Sequence, residues 1–319
     1  MVHIQVLQRR LLRIRNLFFT IFLLSLSLHR RRGRGQERDI ILVTTAWVPD
    51  ERHSPHLSEV KASIALNSAN KYISQIHVVL EGSNSQYNCT HFRSDIFPTT
   101  MWYERFNSKI HCIRWPARQP TYFEMFNHTK HVAPVEESVV ILANADMVFD
   151  STIGHLKNID EKAFVVIATR GLSSRWTPWK IVKAYSEMTG YRFVDVVNRC
   201  YTDPSEKRTS WDAYAFVPSL LQLSQDDFMD RRTNDMFPMN QNGAENAALA
   251  AISRLSRFQQ YAQICDHVHM WHFHTKSKMH STHLGVKHDQ LTPDSCPLLQ
   301  RCLVPSGITA VFRSVNELT

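Results

Sequence analysis

The sequence predicts an α/β fold, a mostly parallel central sheet flanked by helices, and three observations carry that expectation. Short β-branched runs alternate with segments of helical period along the first half of the chain, the order that builds right-handed β-α-β units. The run Val139, Val140, Ile141 and Leu142 is apolar at every position, as in a strand covered on both faces. It gives way abruptly to Asn144, Asp146 and Asp150, and in open α/β sheets ligands lie beyond the carboxyl ends of the strands.

The elements follow in order. Ile40 to Ala46 reads as the first strand, and Ser54 with Pro55 supplies the cap and first turn of a helix carrying Leu57, Val60 and Ile64 on one face. Ile76 to Leu80 is the second strand, ending at Glu81, and Ile110 to Trp115 gives a third. Tyr122 to Phe126 opens a short helix before the fully apolar strand. Asp150 suits the N-cap of a helix starting near Ser151 or Thr152. Phe164 to Thr169 is another central strand with Arg170 at its carboxyl end. Asp212 to Phe216 alternates as a shorter strand, and Gly243 to Phe258 is alanine-rich and helical.

Candidate chemistry gathers at the strand ends. Asn144 and Asp146 would project into a cleft where a carboxylate can hold a hard divalent cation; the competing reading of Asp146 is a helix cap. Neither G-x-G-x-x-G nor G-x-x-x-x-G-K-[ST] follows any strand, so phosphates would need another device. A cation on Asp146, with the Arg170 guanidinium pairing diphosphate oxygens or a sugar hydroxyl, supplies one. Asp212 lies before an aromatic strand, where a turn residue is the plainer reading. Glu245 opens a helix, where the dipole favours a carboxylate whatever its chemistry. Between Asp266 and His288 stand seven of the 17 histidines; if 266–274 is extended, His267 and His269 share one face, and His272 and His274 share a face. Such pairs can grip a transition metal.

Leu17 to Leu28 is an apolar run flanked by Arg9, Arg10, Arg13 and Arg15 before it and by Arg30, Arg31, Arg32 and Arg34 after it. It suits a retained signal anchor, although Ser25-Leu26-Ser27 offers a weak cleavage pattern and a mitochondrial presequence is the rival. The expected organisation is a basic cytosolic tail at 1–16, an anchor at 17–28, an arginine-rich stem at 29–39 and one luminal domain at 40–319. The expected location is the Golgi or endoplasmic reticulum membrane, single-pass and type II. Two N-x-[ST] patterns, at Asn88 and Asn127, agree with a secretory route. So do six cysteines, among which Cys89 can reach Cys112 and Cys296 can reach Cys302, the connectivity staying open. The net charge of +8 comes largely from the arginines around the apolar run, which points to a membrane surface rather than to nucleic acid.

Several segments together resemble a family. RQPTYFEMFN (Arg118 to Asn127), ILANADMVFD, ATR, SWDAYAF (Ser210 to Phe216), GAEN (Gly243 to Asn246) and WHFH (Trp271 to His274) are similar, in kind and order, to a group of GT-A-type glycosyltransferase-like proteins. The resemblance spans roughly Ile40 to His280. It implies a Rossmann-like GT-A fold and a nucleoside-diphosphate sugar donor, with Asn144-Ala145-Asp146 in the place of a D-x-D element. Manganese or magnesium would be held by Asn144, Asp146 and His272 or His274. Asp212 and Glu245 would lie by the donor sugar or the acceptor hydroxyl, and Thr44 and Glu81 would line the nucleoside beside Arg170. Two positions depart from the pattern, Asn144 in place of Asp and Ala244-Glu245-Asn246 in place of C-D-N.

The expected function is metal-assisted transfer of a sugar from a nucleoside diphosphate to a glycan or protein acceptor, with no nucleic-acid partner. Two other classes stay open: a metal-dependent hydrolase using the histidine segment with Asp146 and Asp212, and a carbohydrate-binding or scaffold relative without catalysis.

Overall fold

The computed structural model describes residues 37–48, 55–82, 87–115, 118–133, 138–167, 170–171, 212–230, 235–236, 239, 244–264 and 267–272. In chain order the elements are β1 (Asp39–Trp47), α1 (Pro55–Ala69), β2 (Ile73–Glu81), α2 (Cys89–Ile96), α3 (Thr100–Phe106), β3 (Ile110–Arg114), α4 (Tyr122–Val132), β4 (Ser138–Ala143) and β5 (Met147–Phe149). A 3-10 helix at Ser151–Asn158 follows. Then come β6 (Ala163–Ile167), β7 (Arg170–Gly171), β8 (Ala213–Phe216), β9 (Met229–Asp230), β10 (Asp235–Met236), α5 (Ala244–Leu255), β11 (Gln260–Gln263) and β12 (Met270–His272).

Seven strands form the main sheet in the order β11-β6-β8-β4-β1-β2-β3. All its neighbours are parallel except β8, which runs antiparallel to both β4 and β6. The α/β class, Rossmann-like and mostly parallel with helices on both faces, is therefore the one expected. Alternation along β1 shows why: Ile40 and Leu42 join one apolar cluster, with Leu57, Val60 and Ile64 of α1, while Ile41 and Val43 join the other, with Tyr122 and Phe126 of α4 and Ile252 of α5. With both faces covered, β4 is apolar at every position after Ser138, and every one of its residues is buried. On the α4 side the Phe126 ring meets Phe164, Tyr214, Phe216 and Phe228, so one aromatic cluster joins the helix to β6 and β8.

Some features were not read from sequence. Helices α2 and α3 are short, and α2 begins at Asn88, whose Oδ1 accepts from the amides of Thr90 and His91. Cys89 pairs with Cys112 of β3, one of the pairings that spacing allowed, while Cys296 and Cys302 lie outside the described residues. A second, three-stranded sheet, β5-β12-β7, packs beside the end of β4. The helix after Asp150 is a 3-10 helix, with Asp150 as its N-cap.

The location expected from the sequence needs correction. Among the described residues no helix is long and apolar enough to cross a membrane, so the single-pass type II placement in the Golgi or endoplasmic reticulum is withdrawn. The 17–28 segment that carried it lies outside the described residues, and its apolar run falls well short of the roughly 20 residues that a spanning helix needs.

Candidate functional site

The turn from β4 to β5 carries Asn144, Ala145 and Asp146 at the carboxyl edge of the main sheet. Because β8 runs against β4, its first residue, Ala213, lies opposite Ala143, the last of β4. That reversal places Asp212 beside Asn144. The Asn144 amide N–H donates to the Asp212 carbonyl at 3.0 Å, and Asn144 Nδ2 donates to Asp212 Oδ1 at 3.1 Å. Asn144 thus orients the second acid, a task that a carboxylate at this position would perform only through a bridging proton or cation.

Asp146 meets the second sheet. His272 of β12 pairs in register with Met147 of β5, so its ring reaches back to the residue before, and Nε2 lies 2.6 Å from Asp146 Oδ2. Asp146 itself is only 6% exposed. Burial by itself would lower the His272 pKa, but the Asp146 carboxylate, its hydrogen bond and the further negative charge of Asp212 and Glu59 raise it from 6.5 to about 9. The pair is therefore an imidazolium against a carboxylate, set within a cluster of acids.

Asn67 in the last turn of α1 and Asn70 just beyond its end hold this corner. Asn67 Nδ2 donates to the Met147 carbonyl at 2.8 Å and Asn67 Oδ1 accepts from the Phe149 amide at 3.0 Å. Asn70 Nδ2 donates to the carbonyls of Phe149 and Asp150 at 3.1 and 2.9 Å. The outer edge of β5 is satisfied by side chains where a further strand would otherwise be needed.

On the far side of Asp212 stand Tyr122, Tyr214 and Glu245. Tyr214 follows Asp212 by two positions on β8, and its hydroxyl donates to the Glu245 carbonyl in the first turn of α5 at 3.2 Å. Tyr122, at the start of α4, packs edge-on to Tyr214 with ring centroids 6.2 Å apart. Burial pushes both phenols well above their usual range, followed for Tyr122 by the field of Tyr214 and for both by the negative fields of Glu245 and Asp212. Neither these two tyrosines nor Glu59 stands out as a site residue in the sequence. A carboxylate among the buried residues of α1 was the signal for Glu59 (3% exposed).

Thr44 lies within β1, three residues before its end, and Glu81 is the last residue of β2. Thr44 sits in register with Ala143 of β4, and Glu81 with Trp47 of β1, and both are buried. The backbone of Arg170 in β7 lies opposite Trp271. His274 lies outside the described residues. His267 is not on an extended strand with His269: its amide donates to the Ile264 carbonyl in a turn, whereas His269 Nδ1 stands 3.3 Å from Asp150 Oδ2. Among the described residues no three histidine, cysteine or acidic side chains converge as a closed metal cage. Asp146 nonetheless offers an oxygen donor suited to manganese or magnesium, and His272 adds an imidazole nitrogen suited to manganese once a cation displaces its proton, with substrate phosphates and water to complete the shell.

No family model matches the chain, and no curated protein matches it. Solved structures do. A 4-diphosphocytidyl-2C-methyl-D-erythritol synthase from Anaerococcus prevotii aligns with a TM-score of 0.35 and 15% identity over 58% of this chain and 73% of its own. S. aureus TarS 1–349 in complex with UDP-GlcNAc aligns with a TM-score of 0.34 and 10% identity over 70% of this chain, which spans 58% of that one. Mouse xyloside xylosyltransferase 1 aligns with a TM-score of 0.27 and 13% identity over 57% of this chain and 67% of its own.

Proposed function

We propose that the chain is a glycosyltransferase that takes a nucleoside-diphosphate sugar as donor and moves its sugar to a glycan or protein acceptor, with 40–319 as one GT-A-like domain. The observation that carries this reading is the Asp146–His272 pair, 2.6 Å apart at the carboxyl edge of the main sheet with Asp212 beside it. That edge is where α/β sheets take nucleotides, and the chain lacks the glycine-rich signatures that would otherwise receive the phosphates.

In this reading Asp146, Asn144 and His274 would hold manganese or magnesium, joined by His272 once the cation displaces its proton. A bound cation supplies neutralising charge to the diphosphate. Arg170 pairs with diphosphate oxygens, and Thr44 and Glu81 line the nucleoside. Asp212 and Glu245 serve the sugar and the acceptor hydroxyl, Glu245 as the base, which requires its carboxylate within roughly 2.6–3.2 Å of that hydroxyl. Asn144 keeps Asp212 in place through the bond already described, and Tyr122 and Tyr214 keep water from the inner wall.

The test is thermal shift and calorimetric titration with UDP, GDP, ADP and CDP, each with and without manganese chloride, on the wild type and on Asp146→Ala. Manganese-dependent binding of at least one diphosphate, lost in the variant, is the expected result. Indifference to every nucleotide would favour the scaffold class. Phosphoester turnover without a sugar acceptor, on tightly bound zinc, would favour the hydrolase.

A further inference from the structure

Away from this site, three imidazoles meet where α4 covers the β2–β3 edge. His77 and His111 are register partners on adjacent parallel strands, and their rings stack with centroids 4.8 Å apart and 18° between planes. His128 of α4 approaches His77 edge-on at 6.2 Å. His77 Nε2 donates to Gln75 Oε1 at 3.1 Å. His128 Nε2 is buried and has no hydrogen-bond partner among the described residues. Among the described residues no acid is bonded to these rings: β1 places Val43 opposite His77, β3 offers His111, α4 adds His131 one turn beyond His128, and Glu124, the acid of α4 one turn before His128, is bound to Arg118. Histidine ion pairs among the described residues belong to His269 and His272.

We propose that the rings of His77, His111 and His128 form an acid-sensitive clasp, which seats α4 on the β2–β3 edge while His77 and His128 are neutral and loosens it as these two gain protons. Stacked rings without a carboxylate tolerate one charge poorly and two worse, since each added proton faces another across a few ångströms of half-buried space. Burial, followed by the positive fields of His111 and His128, lowers the His77 pKa from 6.5 to about 4. Burial and His131 lower that of His128 as well. An unfolded or released His77 therefore takes its proton first. The stability held in the neutral clasp is complete above about pH 6.5 and is lost progressively as pH falls towards 4. Tyr122 stands at the start of α4 against Tyr214, so loosening α4 disturbs the wall beside Asp212. The clasp itself stands whether or not the transferase reading holds.

The experiment combines histidine-ring NMR with hydrogen exchange of the full chain at about pH 7, 6 and 5. In the folded protein the His77 imidazole should titrate near 4. Protection of the α4 amides, corrected for intrinsic exchange, should fall several-fold from pH 7 to 5 while that of β4 holds. His77→Phe, which keeps a flat ring but cannot be protonated, should flatten this fall, and His77→Gln serves if the phenylalanine variant does not fold. A folded-state His77 titrating near the unperturbed 6.5, α4 protection indifferent to pH, or an equal fall in the variant would each overturn the clasp.

Discussion

Asn67 gives the most direct measure of what holds the β4–β5 turn in place. Its amide makes two bonds to the outer edge of β5, one to the Met147 carbonyl and one from the Phe149 amide, at 2.8 and 3.0 Å. Met147 is 1% and Phe149 3% exposed, so neither backbone group can turn to solvent once the amide is gone. Asn67→Ala leaves one carbonyl and one N–H unsatisfied at about 1–3 kcal/mol each, or about 2–6 kcal/mol together. Alanine recovers about 0.5 kcal/mol through its better helix propensity, which does not change the sign. The expected net loss is therefore about 1.5–5.5 kcal/mol, readable as a lower urea midpoint at constant slope. Exchange of the Phe149 amide should rise more than that of β1, because the damage is local. A loss below about 1 kcal/mol, with Phe149 exchange unchanged, would refute the claim that this side chain secures the corner beneath Asp146.

Other expectations follow from the same structure. Gly82 has φ +123°, and a Cβ there would lie 2.4 Å from the Val48 carbonyl oxygen, so Gly82→Ala should cost about 2–4 kcal/mol by chemical unfolding and part β1 from β2 next to Glu81. Replacing both Cys89 and Cys112 by serine opens a closure of 23 residues in sequence separation and should cost about 3 kcal/mol, with reductant giving the same loss in the wild type. The raised phenols of Tyr122 and Tyr214 set an alkaline limit: their folded pKa values exceed the unfolded 10, so the folded state keeps its protons longer and stability declines as pH rises past 10, a slope that Tyr122→Phe should lessen in alkaline melts. Thr121→Ala removes the side chain that receives the Glu124 amide in the capping box of α4 and should lower the melting stability by about 1 kcal/mol.

The main sheet was legible because burial on both faces leaves its trace in composition. β4 and β6 appear as near-continuous apolar runs, and β1 and β2 as apolar runs broken by Thr44 and Thr45 and by His77, each within a few residues of its observed ends. Asp146 could be singled out for the same reason, as the acid that follows such a run. The direction of β8 could not be read. AYAF is equally apolar in either orientation, and only pairing with β4 and β6 shows the reversal that carries Asp212 to Asn144. The second sheet was hidden by brevity: β5, β7 and β12 have three, two and three residues, too few for any period to emerge. Helix α2 escaped notice because its signal is a single N-cap, Asn88, which in sequence reads just as well as part of an N-x-[ST] pattern.

That second sheet makes the site a matter of register. His272 faces Asp146 only because β12 pairs Met270, Trp271 and His272 with Phe149, Val148 and Met147. A slip of one residue would turn the opposite face of β12 towards Asp146 and bring Trp271 where His272 belongs. Three particulars oppose the slip. Trp271 is 1% exposed and would have to leave the apolar side. The His269 amide donates to Thr152 Oγ1 at 2.8 Å, and the Asp150 amide reaches the His269 carbonyl at 3.4 Å, which fixes where β12 begins. Asp150 in turn is held by the 3-10 helix that it caps, and its other oxygen lies against the His269 ring. An acid that sequence assigns to a helix cap thus also sets the position of a histidine three residues beyond its own partner. The local capping signal at Asp150 and the candidate chemistry at Asp146 are parts of one arrangement, because the first fixes the strand that brings His272 to the second.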